Sequence, residues 1–137
     1  MKEDIKRLNT TALAYIGDAV YEVRVRARVL QSGQVNADKL HQMAVEYVKA
    51  EGQAKALKAI YDTLNEEEKD LVRRAKNRKA ASRPKNACPL EYRLATAFEA
   101  LIGGLYMSGS QNRMDEIITL AFAEIENAQN VKGKGAK

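Results

Sequence analysis

The stretch Thr11–Gln31, TALAYIGDAVYEVRVRARVLQ, decides how the rest of the chain is read. Leu13, Ile16, Val20, Val23, Ala27 and Leu30 recur at alternating three- and four-residue steps. That spacing predicts a helix with a core-facing apolar stripe. Asn9 and Thr10 are candidate caps, and Gly33 is the candidate stop. Val23 to Val29 also alternates apolar and charged residues as a strand would. The three/four spacing runs straight through it without a turn residue, so helix is preferred.

Working outward, further helical segments follow. Asn36 is placed to cap a helix holding Leu40, Met43, Ala44 and Tyr47. Gly52 is expected to separate it from one holding Leu57, Ile60, Tyr61 and Leu64. Asn65-Glu66-Glu67-Glu68 has the form of a capping box, with first-turn acids suited to the helix dipole. Leu71, Val72 and Ala75 follow on the inward face. A loop is expected from about Asn77 to Pro89. A fifth helix then runs to Met107 with the stripe Leu90, Leu94, Ala97, Phe98, Leu101, Ile102 and Leu105, closed by Ser108-Gly109. A sixth spans about Asn112 to Asn127. The expectation is an all-α helical bundle over residues 1–128, with 129–137 a flexible Gly/Lys tail.

Composition narrows the class. The 137 residues, 45% hydrophobic and 30% charged, suit one globular domain. No run of ~18 apolar residues is present, so no membrane span is expected. The charged start Met1-Lys2-Glu3-Asp4 lacks the form of a secretory signal. The single cysteine, Cys88, leaves no internal disulfide, and a cytoplasmic location is expected. A net charge of +5 favours an anionic partner.

Two acids stand in unusual surroundings. A helix turns about 100° per residue, which puts Asp18 opposite the stripe of its helix, near Ala14, Tyr15, Tyr21, Glu22 and Val25. Its i+4 neighbour is Glu22, a like charge that should cost ~0.2–0.5 kcal/mol. Glu99 repeats the pattern among Ala95, Thr96, Ile102 and Gly103. If the two faces meet, the carboxylates form an oxygen-ligand site for Mg²⁺ or Mn²⁺. Alternatively, each acid meets an Arg or Lys from another helix. Between Asp70 and Glu91 lie seven cations and no acid: Arg73, Arg74, Lys76, Arg78, Lys79, Arg83 and Lys85. Such a cluster suits an external anion, and RNA phosphate is the expected one. Arg24, Arg26 and Arg28 do not share one face and are read as surface or dimer-contact charges. His41 has no partner at a metal-ligand spacing. Gly103-Gly104 lacks the strand context of a phosphate loop and is expected to permit close helix packing.

Tyr15-Ile16-Gly17-Asp18-Ala19-Val20 resembles the signature helix of ribonuclease III. Ala97-Phe98-Glu99-Ala100-Leu101-Ile102-Gly103-Gly104-Leu105-Tyr106 is similar to the second catalytic helix of that family. The resemblance covers nearly the whole chain and is strongest to the small Mini-ribonuclease III branch, which has the catalytic domain alone. It extends there to Arg74 through Asn86 and to Tyr92-Arg93. It implies that Asp18 and Glu99 are the catalytic, metal-binding acids. The larger family carries further acids where this chain has Thr11, Ala14 and Thr96, so two acids per site remain, with Glu22 a possible helper outside the family pattern. The resemblance also implies a Mg²⁺-dependent endoribonuclease acting on double-stranded RNA, giving 5′-phosphate and 3′-hydroxyl ends. It further implies maturation of large-subunit (23S) ribosomal RNA precursors. Cutting both strands needs two sites, which a two-fold homodimer supplies as in that family, and Tyr15 and neighbouring apolar residues are expected near the contact. Without a separate RNA-binding domain, a ribosomal protein or the folded precursor is expected to supply the positioning. Two competing readings stay open: a non-catalytic RNA-binding or ribosome-associated protein that keeps the fold, and a helical adaptor whose basic loop binds an acidic partner.

Overall fold

In the computed structural model, residues 7–78 and 89–135 are described, with side chains through residue 130. Among the described residues all regular structure is helical: α1 (Thr10–Leu30), α2 (Ala37–Val48), α3 (Ala50–Ile60), a 3₁₀ turn (Tyr61–Thr63), α4 (Glu66–Asn77), α5 (Pro89–Met107) and α6 (Gln111–Gly135).

The ends of these helices follow from local chemistry. Asn9 accepts from the Thr11 N–H at 2.7 Å, and Asn36 accepts from the Lys39 N–H at 3.1 Å. The capping box at α4 is complete. Asn65 Oδ1 accepts from the Glu68 N–H at 2.9 Å, and Glu68 Oε1 accepts from the Asn65 N–H at 2.9 Å. Gly109, at φ +74°, closes α5 as expected. Two boundaries differ from expectation. The break between α2 and α3 falls at Lys49, whose ψ of 151° is extended. Gly52 instead lies buried in the first turn of α3, where a Cβ would come within 2.6 Å of the Glu46 carbonyl oxygen. The backbone of α6 continues to Gly135, past the expected end near Asn127.

Helix α5 is the centre of the bundle, packed against α1, α3, α4 and α6. From Leu94 to Leu105 it is buried on nearly every side, with Thr96 and Glu99 partly accessible. Leu90, expected in its core stripe, is 42% exposed because it lies in the first turn, outside the packed layer. The Tyr21 ring meets Phe98 edge-on at 5.1 Å between centroids.

The inward face of α1 is not the expected one. Its buried residues are Thr10, Leu13, Ala14, Gly17, Tyr21, Val25 and Val29. Of the expected stripe only Leu13 is fully buried. Ile16 and Val20 are half-buried, Ala27 is exposed, and Val23 and Leu30 are 66% and 55% exposed. Size explains the choice. Ala14 and Gly17 let α1 approach α5 closely, whereas the bulkier Ile16, Val20 and Val23 would hold the helices apart. The arginines flank this arrangement within the chain. Arg24 pairs with Asp115 at 2.6 Å, Arg26 with Glu22 at 3.1 Å, and Arg28 with both oxygens of Glu126 at 2.9 and 2.8 Å. They are therefore tied by intramolecular ion pairs, two of which clamp α1 to α6.

Candidate active site

Helices α1 and α5 touch through glycines. A Cβ on Gly17 would stand 1.8 Å from the Glu99 carbonyl oxygen, and one on Gly103 would stand 1.9 Å from that of Leu13. Bare backbone on both sides is the only way to reach this separation. The residue after Gly17 is Asp18 and the residue carrying the contacted carbonyl is Glu99, so the crossing brings the two acids together.

The pairing is chemical as well as spatial. The Glu99 carboxyl is pushed up to about 8, first by burial and then by a hydrogen bond to Asp18 and the charge of Asp18. Asp18 lies on the exposed side of the pair. Among the described residues no ion pair reaches either acid. Within the described residues each acid's neighbour is the other acid rather than an Arg or Lys. A half-buried carboxylate held against a second one is an arrangement that a divalent cation relieves, and two carboxylates are hard oxygen donors. The residues present thus fit Mg²⁺ or Mn²⁺. Among the described residues no group of three or more potential ligands forms, so the donor set is small. Glu22 pairs with Arg26 one helical turn along α1.

The positions of the missing acids are otherwise employed. Ala14 is buried in the core. Thr96 donates its hydroxyl to the Tyr92 carbonyl oxygen at 2.9 Å. Thr11 is exposed in the first turn of α1. Tyr21 lies close enough to Glu99 for that charge to help raise the phenol, after burial and Tyr47. Its proton is engaged, since the hydroxyl donates to the Tyr47 carbonyl oxygen at 2.9 Å.

Sequence reasoning missed Gln53. It is 1% exposed, and its amide lies beside Glu99, favouring the ionised carboxylate. Its Nε2 nevertheless has no complete hydrogen bond. The signal was legible: Gln53, Leu57 and Ile60 are spaced by four and three, which puts a polar residue on the core face of α3.

The basic segment is described only in part. Arg73, Arg74 and Arg78 are exposed and Lys76 is half-buried at the end of α4, while Lys79, Arg83 and Lys85 lie outside the described residues. The expectation that these cations lack a counter-charge needs correction. Arg73 pairs with Asp70, and Arg74 Nε lies 3.4 Å from the same carboxylate. One helical turn brings Asp70 under both, an exposed arrangement that binds them weakly. Tyr15 is 83% exposed on α1.

Residues 11–110, which include both acids, match the family model for the ribonuclease III domain. The chain belongs to the ribonuclease III family. Within the family it is similar to proteins named Mini-ribonuclease 3. The one from Thermoanaerobacter sp. is 44% identical, with 91% of this chain and 88% of that protein covered. The one from Symbiobacterium thermophilum is 45% identical, with 85% and 90% covered. The crystal structure of a Fusobacterium nucleatum protein superposes with a TM-score of 0.78 at 34% identity, covering 89% of this chain and 98% of that one. The ribonuclease III motifs on α1 and α5 are thus the two helix segments that cross at Gly17 and Gly103.

Proposed function

We propose that this protein is a Mg²⁺-dependent endoribonuclease that cleaves double-stranded RNA, with Asp18 and Glu99 as its catalytic acids. The observation that carries the reading is the meeting of these two carboxylates at the glycine crossing of α1 and α5. Family membership supports the ribonuclease class.

Asp18 and Glu99 would hold Mg²⁺, with Mn²⁺ able to substitute. When bound, such an ion supplies an acidified water and offsets charge on the phosphoryl oxygens. The protein's own part is to keep the two carboxylates together on rigid helices. The half-buried setting of Glu99 strengthens its electrostatic interactions. Arg73, Arg74, Lys76 and Arg78, with Lys79, Arg83 and Lys85, form the RNA-binding segment. They address phosphates, which suits A-form RNA, whose narrow major groove hides the base edges. Hydrolysis leaves a 5′-phosphate and a 3′-hydroxyl, following the family resemblance.

Cutting both strands requires two sites, and a two-fold homodimer supplies them. The exposed apolar face of α1 supports that assembly: Tyr15, Val23 and Leu30 are 83%, 66% and 55% exposed. The Mini-ribonuclease III branch points to precursor large-subunit (23S) ribosomal RNA as substrate, with a ribosomal protein assisting, in the cytoplasm. Among the described residues no helix is long and apolar enough to cross a membrane.

The test is cleavage of a labelled RNA duplex at low salt, with Mg²⁺ or EDTA, comparing wild type with Asp18→Asn and Glu99→Gln. Metal-dependent cuts in both strands, lost in both variants while circular dichroism stays native, are expected. Absence of cleavage, with a ribosomal RNA precursor and ribosomal proteins also supplied, would favour a non-catalytic RNA-binding protein.

A further inference from the structure

The site has a neighbour that the two-acid reading leaves unused. Gln53 is 1% exposed, and its amide Nε2 is buried without a hydrogen-bond partner. An orphaned buried donor destabilises a fold, so a glutamine kept at such a place calls for a reason. Leucine or methionine would fill the same volume of α3 without that penalty. The acid beside the amide is Glu99. Once Glu99 is ionised it can only accept, so the nitrogen is then the end that faces it.

We propose that Gln53 is a positioning residue for the metal site: its amide N–H donates to the Glu99 carboxylate once that carboxylate serves as a ligand. The inference rests on the two-acid reading given above. A neutral donor suits the task. A lysine or arginine there would cancel the charge that attracts the cation, whereas an amide orients the carboxylate and leaves its charge intact. The α3 framework holds Gln53 in place, since Ala54, Ala56, Leu57 and Ile60 around it are all buried in the core. Orientation matters more here than in a ligand-rich site, because two acids must do the holding. Partners of ligating groups in other metal sites change metal affinity or activity by about 10–100-fold when removed.

The experiment uses the full chain and Mn²⁺ itself as probe, with free Mn²⁺ read by electron paramagnetic resonance. Wild type is compared with Gln53→Met, Gln53→Leu and Glu99→Gln, and each metal-free protein is melted in parallel. For Gln53→Met the expected result is Mn²⁺ affinity lowered about 10-fold or more. Its metal-free melting temperature should be unchanged or raised, because an orphaned donor has been removed. The Mg²⁺ concentration for half-maximal cleavage should rise in step. Wild-type Mn²⁺ affinity in Gln53→Met overturns the proposal, as does a lower melting temperature with unchanged affinity. If Gln53→Leu fails to fold, Gln53→Met decides, and unfolding of both metal-free variants assigns Gln53 to the core and overturns it as well. Glu99→Gln separates the two readings. If wild type binds Mn²⁺ no better than Glu99→Gln, the two-carboxylate site is wrong and this inference falls with it. If Glu99→Gln loses binding while Gln53→Met keeps it, only the role of Gln53 fails.

Discussion

Replacing Glu99 with glutamine should make the metal-free protein more stable while abolishing its activity. The carboxyl titrates at about 8 in the fold against an ordinary 4.5. The native state therefore holds a proton that the unfolded chain has released, and stability falls as pH rises between those values. Below about 4.5 both states are protonated and the carboxyl carries no penalty. Above about 8 the penalty is fully developed. At ~1.4 kcal/mol per pH unit it amounts to on the order of 2–4 kcal/mol at pH 8 and about 1 kcal/mol or less at pH 5. Glutamine keeps the shape and has no charge to desolvate. Urea unfolding of metal-free Glu99→Gln, followed by circular dichroism, should thus show a large gain over wild type at pH 8 and little at pH 5. Adding Mg²⁺ at ten times its dissociation constant should return ~1.4 kcal/mol to wild type and nothing to the variant. A variant less stable than wild type at pH 8, or a difference independent of pH, would refute the reasoning that burial beside Asp18 disfavours the ionised Glu99 and that a cation relieves it.

Other outcomes follow from the same geometry. Gly17→Ala should cost at least ~2 kcal/mol by denaturant unfolding, because its methyl would stand 1.8 Å from the Glu99 carbonyl oxygen, against backbone that cannot yield locally. Stability close to wild type would mean the helices do not cross as described. Arg113→Ala should cost about 3–5 kcal/mol at pH 7. It strips both 2.8 Å bonds from Glu68, a buried carboxyl that burial pushes up but Arg113 and the Asn65 amide hold below its ordinary value. That contribution is present above the ordinary carboxylate range and lost as pH falls through the lowered value, so a difference from wild type that stayed constant from pH 7 to pH 3 would contradict it. Val23→Asp, on the exposed apolar face of α1, should halve the solution mass measured by light scattering and spare the helical circular dichroism signal. For RNA, changing Arg78 and Lys79 to Gln should weaken binding to all duplexes alike and reduce the slope of log affinity against log salt by up to ~2. A change confined to one RNA sequence would argue against phosphate contacts.

How much of this could be read from the chain alone depends on whether the deciding interaction is local. Helix caps are local, and Asn9, Asn36 and the Asn65–Glu68 box behaved as their sequence signatures predict. The α2–α3 break was misplaced because a glycine can mark either a stop or a close approach. Only the nearby Glu46 carbonyl shows which one Gly52 serves. The inward face of α1 was misjudged for a deeper reason. That helix is apolar on two faces, one carrying Ile16, Val20, Val23 and Leu30 and one built from Ala14, Gly17, Tyr21 and Val25. Hydrophobicity ranks the first face higher, but packing is decided by how closely two backbones can approach, and that depends on the partner helix. Gly103 supplies the matching gap on α5, eighty-six positions further along the chain. The same mutual fit explains why the acids were legible and their setting was not. Asp18 and Glu99 stood out because neither had a local counter-charge. Their contact, the elevated Glu99 proton affinity and the buried Gln53 amide arise only once α1, α3 and α5 are packed together. The small residues that look like gaps in an amphipathic pattern are therefore what build the site. Two glycines let two carboxyl groups be held side by side, and ionising the buried one costs the metal-free fold stability that an acidic surface site would not lose.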